Sequence, residues 1–136
     1  MIIKPYTHYH EHEILPLYES VGWSFYCKHP DVLEKAFANS LCVLAAYEDG
    51  KLVGLIRSVG DGHTILFIQD LLIYPAYQHR GIGTALVKAV LEQHPHVYQI
   101  ELATDNTEKT VSFYKSLGFR PMEEIGCCGF LKMGQF

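Results

Sequence analysis

Two Asp-Gly pairs, Asp49-Gly50 and Asp61-Gly62, separate three runs rich in apolar and β-branched residues: Leu41 to Tyr47, Leu52 to Val59 and Thr64 to Ile73. Asp and Gly tolerate the positive φ that a tight hairpin turn demands. The three runs therefore predict an antiparallel meander, and the rest of the chain has to cover its two faces. A length of 136 residues holds material for one core, so a single domain over 1–136 is expected.

The flanking segments supply the cover. Ile2 to Tyr6 reads as a short edge strand with Pro5 near its end. Ile14, Leu15, Leu17, Tyr18 and Val21 read as a helix stopped by Gly22. A second helix follows Pro30, with Asp31 as cap, Glu34 reaching back, and a buried stripe of Leu33, Ala36 and Phe37. Beyond the meander, Ile82, Ala85, Leu86, Ala89 and Val90 recur at the spacing of one helical face, and Pro95 ends that helix. Val97 to Thr104 reads as the next strand, which makes a βαβ unit with parallel neighbours. A last helix opens at Asp105-Asn106-Thr107-Glu108 and stops at Gly118. Arg120 to Met133, with Ile125, Phe130 and Leu131, is expected to add one or two strands. The sum is an α/β fold with a mixed, largely antiparallel sheet of about six to seven strands and helices on both faces.

Composition narrows the function. With 49% apolar and 19% charged residues the chain has enough to bury and too little charge for disorder. A net charge of −4 gives no general attraction to phosphate backbones or anionic lipid, so neither nucleic acid nor membrane is expected as a partner. No apolar run approaches the roughly 20 residues of a bilayer span, and the start lacks a leader pattern, which points to a cytoplasmic address. Cys27, Cys42, Cys127 and Cys128 are too irregular for a disulfide framework, consistent with a reducing compartment. His8, His10 and His12 alternate, but no cysteine joins them at ligand spacing; a solvated surface is expected there rather than a metal.

The segment with the most chemistry is Gln78-His79-Arg80-Gly81-Ile82-Gly83-Thr84, between a strand and the start of an amphipathic helix. Unpaired N–H groups and the positive end of the macrodipole favour an anion there. Gly81 and Gly83 remove Cβ atoms from the approach, while Arg80 and Thr84 add a charge and a hydroxyl. The same glycines would also serve a tight strand-to-helix turn and nothing more. A P-loop is excluded because no lysine precedes Thr84, and a dinucleotide fingerprint because Leu86 stands where a small residue is needed.

The stretch Asp70-Leu71-Leu72-Ile73-Tyr74-Pro75-Ala76-Tyr77-Gln78-His79-Arg80-Gly81-Ile82-Gly83-Thr84-Ala85-Leu86 resembles the acetyl-CoA-binding motif of the GCN5-related N-acetyltransferase (GNAT) superfamily. That motif is a Gln/Arg-x-x-Gly-x-Gly/Ala loop after a strand ending in a Pro-containing turn. Asp105 to Phe119, with Asn106 near its start and Phe113-Tyr114 before Gly118-Phe119, is similar to the next helix of the family. The resemblance spans most of the chain and leaves the part through Ser40 without a diagnostic motif.

The resemblance implies a sheet splayed between the fourth and fifth strands, with acetyl-CoA as co-substrate and no metal. It implies that backbone amides from Arg80 to Thr84 hold the pyrophosphate, with Gln78, His79, Arg80, Gly81, Ile82, Gly83 and Thr84 forming the loop. The strand Leu71, Leu72, Ile73 would carry the pantetheine arm, which Asn106 also touches. The Leu71 N–H would stabilise the thioester oxyanion, and Tyr114 would protonate the leaving thiolate. Read from the residues alone, Tyr114 is a core tyrosine on the face of Thr110, Phe113 and Leu117.

The base is not supplied by the motif. Family glutamates on this strand correspond to Phe67 and Gln69, neither of which takes a proton. Asp70 is the nearest carboxylate, either holding a cationic amine, accepting a proton through water, or capping backbone. Glu101, His63 and Tyr26 are weaker candidates. Trp23, Phe25 and Tyr26 line an acceptor pocket by cation–π contact or pack in the core. The expected activity is transfer of acetyl to a small amine, a cationic one being favoured by the acidic balance; the alternative is a non-catalytic acyl-CoA sensor. An exposed sheet edge is compatible with a homodimer.

Overall fold

The computed structural model describes residues 1–135. They form two compact units, one from Met1 to Leu102 and one from Ala103 onward. In the first, strands β1 (Ile2–Pro5), β2 (Cys42–Glu48), β3 (Lys51–Val59), β4 (Ile65–Ile73) and β5 (Gln99–Leu102) lie in one sheet in chain order. Helices α1 (Glu11–Ser20), α2 (Ser24–Lys28) and α3 (Pro30–Ala38) connect β1 to β2, and α4 (Ile82–Gln93) connects β4 to β5. The pairs from β1 to β4 are antiparallel and β4–β5 is parallel, so the meander and the crossover both form.

Local chemistry explains the turns. Asp49 takes a φ of 49° at the first hairpin. In the second, Asp61 Oδ1 accepts the N–H groups of His63 and Thr64 at 2.7 Å each, and Oδ2 accepts the Thr64 hydroxyl at 2.6 Å. The Thr64 hydroxyl, then these amides, hold the Asp61 carboxyl well below the usual carboxylate range.

Helices cover both faces of the sheet. Leu55 of β3 and Leu72 of β4 share one cluster with Ile14, Leu17 and Tyr18 of α1 and Leu33 and Phe37 of α3. Gly54, one residue from Leu55, faces the other way: a Cβ there would lie 3.4 Å from Ile82 Cγ2 of α4. Pro16 sits on the exposed side of α1. Its cost of about 3 kcal/mol is outweighed by burial of Ile14, Leu17 and Tyr18, at roughly 1.5–3 kcal/mol each.

Several expectations are corrected. α2 has no counterpart in the sequence reading. α3 begins with Pro30 at its first position and without a side-chain cap, in place of an Asp31 cap. Among the described residues the sheet has five strands instead of six to seven.

The second unit holds α5 (Glu108–Ser116). Thr107 caps it, its hydroxyl accepting the Thr110 N–H at 3.4 Å, while Asp105 Oδ1 accepts the Thr107 N–H at 3.1 Å. Gly118 follows the C-cap Leu117 with φ 94°, as the sequence predicts. The strand expected in Arg120 to Met133 does not form. Pro121 leads into a 3-10 turn over Met122–Ile125, and within this unit no described residue after Gly126 pairs in a ladder, without which a strand does not form. Among the described residues no helix is long and apolar enough to cross a membrane.

Candidate active site

The first feature is a β-bulge. Arg57 of β3 stands opposite Asp70 of β4, but Ser58, the next residue, stands opposite Ile68, so Gln69 is an extra residue. Strict alternation would put Asp70 on the face of Ile68. The bulge turns it to the opposite face, under α1 and α3, where it is 2% exposed. There Asp70 Oδ2 accepts the Arg57 Nε–H and the Tyr18 hydroxyl, each at 2.8 Å. Arg57 also donates to Ser40 Oγ at 3.3 Å, and its guanidinium lies 5.8 Å from the centre of the Phe37 ring. Burial opposes the Arg57 charge, but the adjacent Asp70 carboxylate outweighs it and raises the guanidinium above its ordinary value. Burial, then the same carboxylate, pushes the Tyr18 phenol far above its usual range, so Tyr18 remains a donor.

Beside this network lies an open cleft of about 440 Å³ lined by Gly22, Trp23, Ser24, Phe25, Tyr26, Gln69 and Asp70. The aromatic trio and the acid considered from sequence are therefore brought together by α2 and the bulge. Trp23 and Tyr26 both pack edge-on against Tyr18, with centroids at 5.9 and 5.2 Å. Both hydrogen bonds to Asp70 fall on Oδ2, and the residue is part of the lining of the cleft. Burial, then Asp70, raises the Tyr26 phenol, so it stays protonated at neutral pH.

The second feature is the edge of β4. Tyr74 N–H donates to Val53 O of β3 at 2.9 Å. Main-chain groups alternate along an antiparallel ladder, so Leu72 also faces β3 while Leu71 and Ile73 face the opposite side. On that side the parallel ladder ends at Ile68 opposite Leu102. Leu72 places its side chain in the core and its main chain on β3, so neither points to this edge.

The loop after β4 is shaped for an anion. Gln78 Nε2 donates to Ile73 O at 3.1 Å and closes the turn. His79 and Gly81 take left-handed φ values of 64° and 81° on either side of Arg80. Gly81 caps α4 without a side-chain hydrogen bond, and a Cβ on it would meet nothing within 4 Å. The helical bonds begin at Ala85 N–H to Gly81 O, which leaves the amides of Ile82, Gly83 and Thr84 at the open first turn. Ile82 itself is buried, so its contribution is its N–H. Two cations gather here: Arg80 lies 5.1 Å and Lys51 Nζ 5.9 Å from the centre of the Tyr77 ring. A pyrophosphate fits this constellation of amides and cations.

In the second unit, Asn106 is exposed beside the Asp105–Thr107 cap. Tyr114 on α5 packs edge-on with Phe113 and Phe119 at 4.9 and 5.9 Å. Burial, then Asp105, raises its phenol above the ordinary value. Among the described residues no three His, Cys, Asp or Glu side chains are placed to hold a metal. His8 lies outside α1 and His12 inside it, so the three histidines do not alternate along a strand.

Sequence reasoning missed Arg57, Tyr18, Ser40 and Lys51. A signal for Arg57 was available: it is a lone charge within an apolar strand run, and such a charge needs a buried partner.

Known proteins place this arrangement. The model of the acetyltransferase (GNAT) family matches residues 7–119. The GNAT family acetyltransferase SP0256 of Streptococcus pneumoniae TIGR4 superposes with a TM-score of 0.89 at 38% identity, covering 99% of this chain and 98% of that one. The uncharacterized N-acetyltransferase ycf52 of Pyropia yezoensis is 31% identical over 79% of this chain and 63% of its own length. The peptidyl-lysine N-acetyltransferase YiaC of Escherichia coli is 36% identical over 53% of this chain and 45% of its own. The chain thus spans less than two thirds of the length of these curated relatives. With motif, loop geometry and family match in agreement, the chain belongs to the GNAT acetyltransferase family.

Proposed function

We propose that the protein is an acetyl-CoA-dependent N-acetyltransferase acting on the primary amine of a small acceptor, cationic acceptors being favoured. The observation that carries this reading is the loop from Gln78 to Thr84, with its open amides at α4 and the Lys51–Tyr77–Arg80 stack. In this reading these groups, with Asn106, hold the coenzyme. The outward main chain of Leu71 and Ile73 pairs with the pantetheine amides as an added strand.

The acceptor enters the cleft of Trp23, Phe25 and Tyr26, where an ammonium gains cation–π attraction and a hydrogen bond to Asp70. Arg57 already matches the Asp70 charge, so Asp70 orients the amine rather than attracting it from afar. Once deprotonated, the nitrogen attacks the thioester carbonyl and a C–N bond forms. Leu71 N–H stabilises the oxyanion. As the C–S bond breaks, Tyr114 gives its proton to the sulfur; its raised phenol value keeps that proton available. The ammonium proton lost before attack and the second amine proton both leave to water, from which the Tyr114 phenolate regains its proton.

A second reading, a non-catalytic acyl-CoA-binding module, is favoured by Phe67 and Gln69 at the family's carboxylate positions. Thiol release from acetyl-CoA across a panel of polyamines, aminoglycosides, amino acids and lysine peptides separates the two. Amine-dependent release is expected, cut about 10²–10⁴-fold in Tyr114→Phe with coenzyme affinity unchanged. Binding without release by any amine supports the module. Gly83→Asp is expected to abolish coenzyme binding in calorimetry, and retained affinity would remove the loop from its role.

A further inference from the structure

The cleft of the first unit has more aromatic wall than its neighbours cover. α2 buries none of its residues, and Phe25 on it is 43% exposed. The Phe25 and Tyr26 rings stand at 80° with centroids 5.7 Å apart, and Trp23 is tilted 52° to Tyr26 at 6.4 Å. Rings near a right angle form a corner, in which a flat aromatic body lies on one face and meets the next ring edge-on. A saturated body of equal size fills the same space without those ring contacts, which are worth about 2–12-fold in affinity.

Charge decides the rest of the ligand. Among the described residues that line the cleft, Asp70 is the one that carries charge. Gln69, the exposed bulge residue beside it, is neutral. The Arg57 guanidinium is 5% exposed and already bonded to Asp70 and Ser40, so it is matched before a ligand arrives. A carboxylate on the ligand would face the Asp70 carboxylate with no lining cation to pair with, and a second ammonium would find no second lining acid. A single ammonium meets both the Asp70 carboxylate and the aromatic faces.

We propose that the acceptor is a monoamine with a flat aromatic body and no carboxylate, the class of 2-phenylethylamine. Its ring occupies the corner of Trp23, Phe25 and Tyr26, and its ammonium lies against Asp70. This rests on the acetyltransferase reading for the transfer but not for the binding. The transfer joins the acetyl carbonyl carbon to the amine nitrogen, breaks the carbon–sulfur bond, and releases the coenzyme thiol with one proton to water.

The test uses Trp23, the single tryptophan, as a binding reporter inside the cleft. Its fluorescence is titrated at about pH 6, where every amine of the set is protonated, with 2-phenylethylamine, phenylalaninamide, phenylalanine, 2-cyclohexylethylamine and spermidine. 2-Phenylethylamine and phenylalaninamide are expected to bind within about threefold of each other, and phenylalanine and spermidine at least about tenfold more weakly. 2-Cyclohexylethylamine is expected about 2–12-fold weaker than its aromatic counterpart. Phe25→Ala, at an exposed position, is expected to erase that last preference while calorimetry gives unchanged coenzyme affinity. Phenylalanine equal to its amide, spermidine tighter than 2-phenylethylamine, or no saturable change with any aromatic amine would overturn the proposal. Thiol release from acetyl-CoA with the same amines separates it from the reading it rests on. Release with other amines but not with aromatic ones overturns the class and leaves the acetyltransferase. Saturable aromatic binding without release from any amine refutes the acetyltransferase reading alone and upholds the ligand class of the cleft.

Discussion

Replacing Asp70 by leucine removes the acceptor of two hydrogen bonds at 2.8 Å and leaves Arg57, 5% exposed, with a hydrogen bond to Ser40 Oγ at 3.3 Å. Breaking a buried pair from one side costs about 3–5 kcal/mol, because the remaining charge is desolvated without compensation. Against a total stability of about 5–15 kcal/mol, that is about a fifth or more of what holds a domain of this size together. Arg57→Met should cost a similar amount, since it strands the carboxylate. The double variant Asp70→Leu/Arg57→Met removes both charges at similar volume and should recover most of the loss. Trp23, the single tryptophan, stacks edge-on against Tyr18 at 5.9 Å and reports unfolding of this region in a urea titration. Single variants whose costs add in the double to within about 0.5 kcal/mol would refute the pairing, because coupled neighbours do not add.

Two further outcomes follow from the second hairpin. The Asp61 carboxyl is depressed in the folded state, so its stabilisation is complete above the unfolded value near 3.9 and is lost as pH falls below it. Melting temperature of the wild type should therefore drop faster than that of Asp61→Ala below about pH 4, and parallel curves would exclude the effect. Gly60→Ala should cost more than about 2 kcal/mol by denaturant midpoint, because its Cβ would sit 2.4 Å from Ile65 O at φ 131°. Gly50→Ala, with open space at φ 76°, should cost about 1 kcal/mol, and equal losses at the two positions would show that the contact does not matter.

What could be read from the chain, and what could not, follows the range of the interactions. The Asp-Gly hairpins, the apolar face of α4 and the Gly81 start of α4 each depend on residues within a few positions of one another; the cap of α5 falls on Thr107, two residues beyond the acidic cap expected at Asp105. Sequence by itself therefore determined the meander, the crossover and the glycine turn into α4. The bulge at Gln69 was not legible, because alternation along β4 continues through it in the one-dimensional pattern; only pairing with β3 reveals the extra residue. That extra residue decides the environment of Asp70, by turning it from the face of Ile68 onto that of Arg57 and Tyr18. α2 was equally hidden: a single turn of helix has no periodicity to detect, yet it carries three aromatic neighbours to the cleft. The strands expected after Arg120 show the converse limit. Their residues have strand-forming composition, but a strand is a property of two chains in register. Sequence determined what this segment could become, and tertiary structure decided that within its own unit it has nothing to pair with.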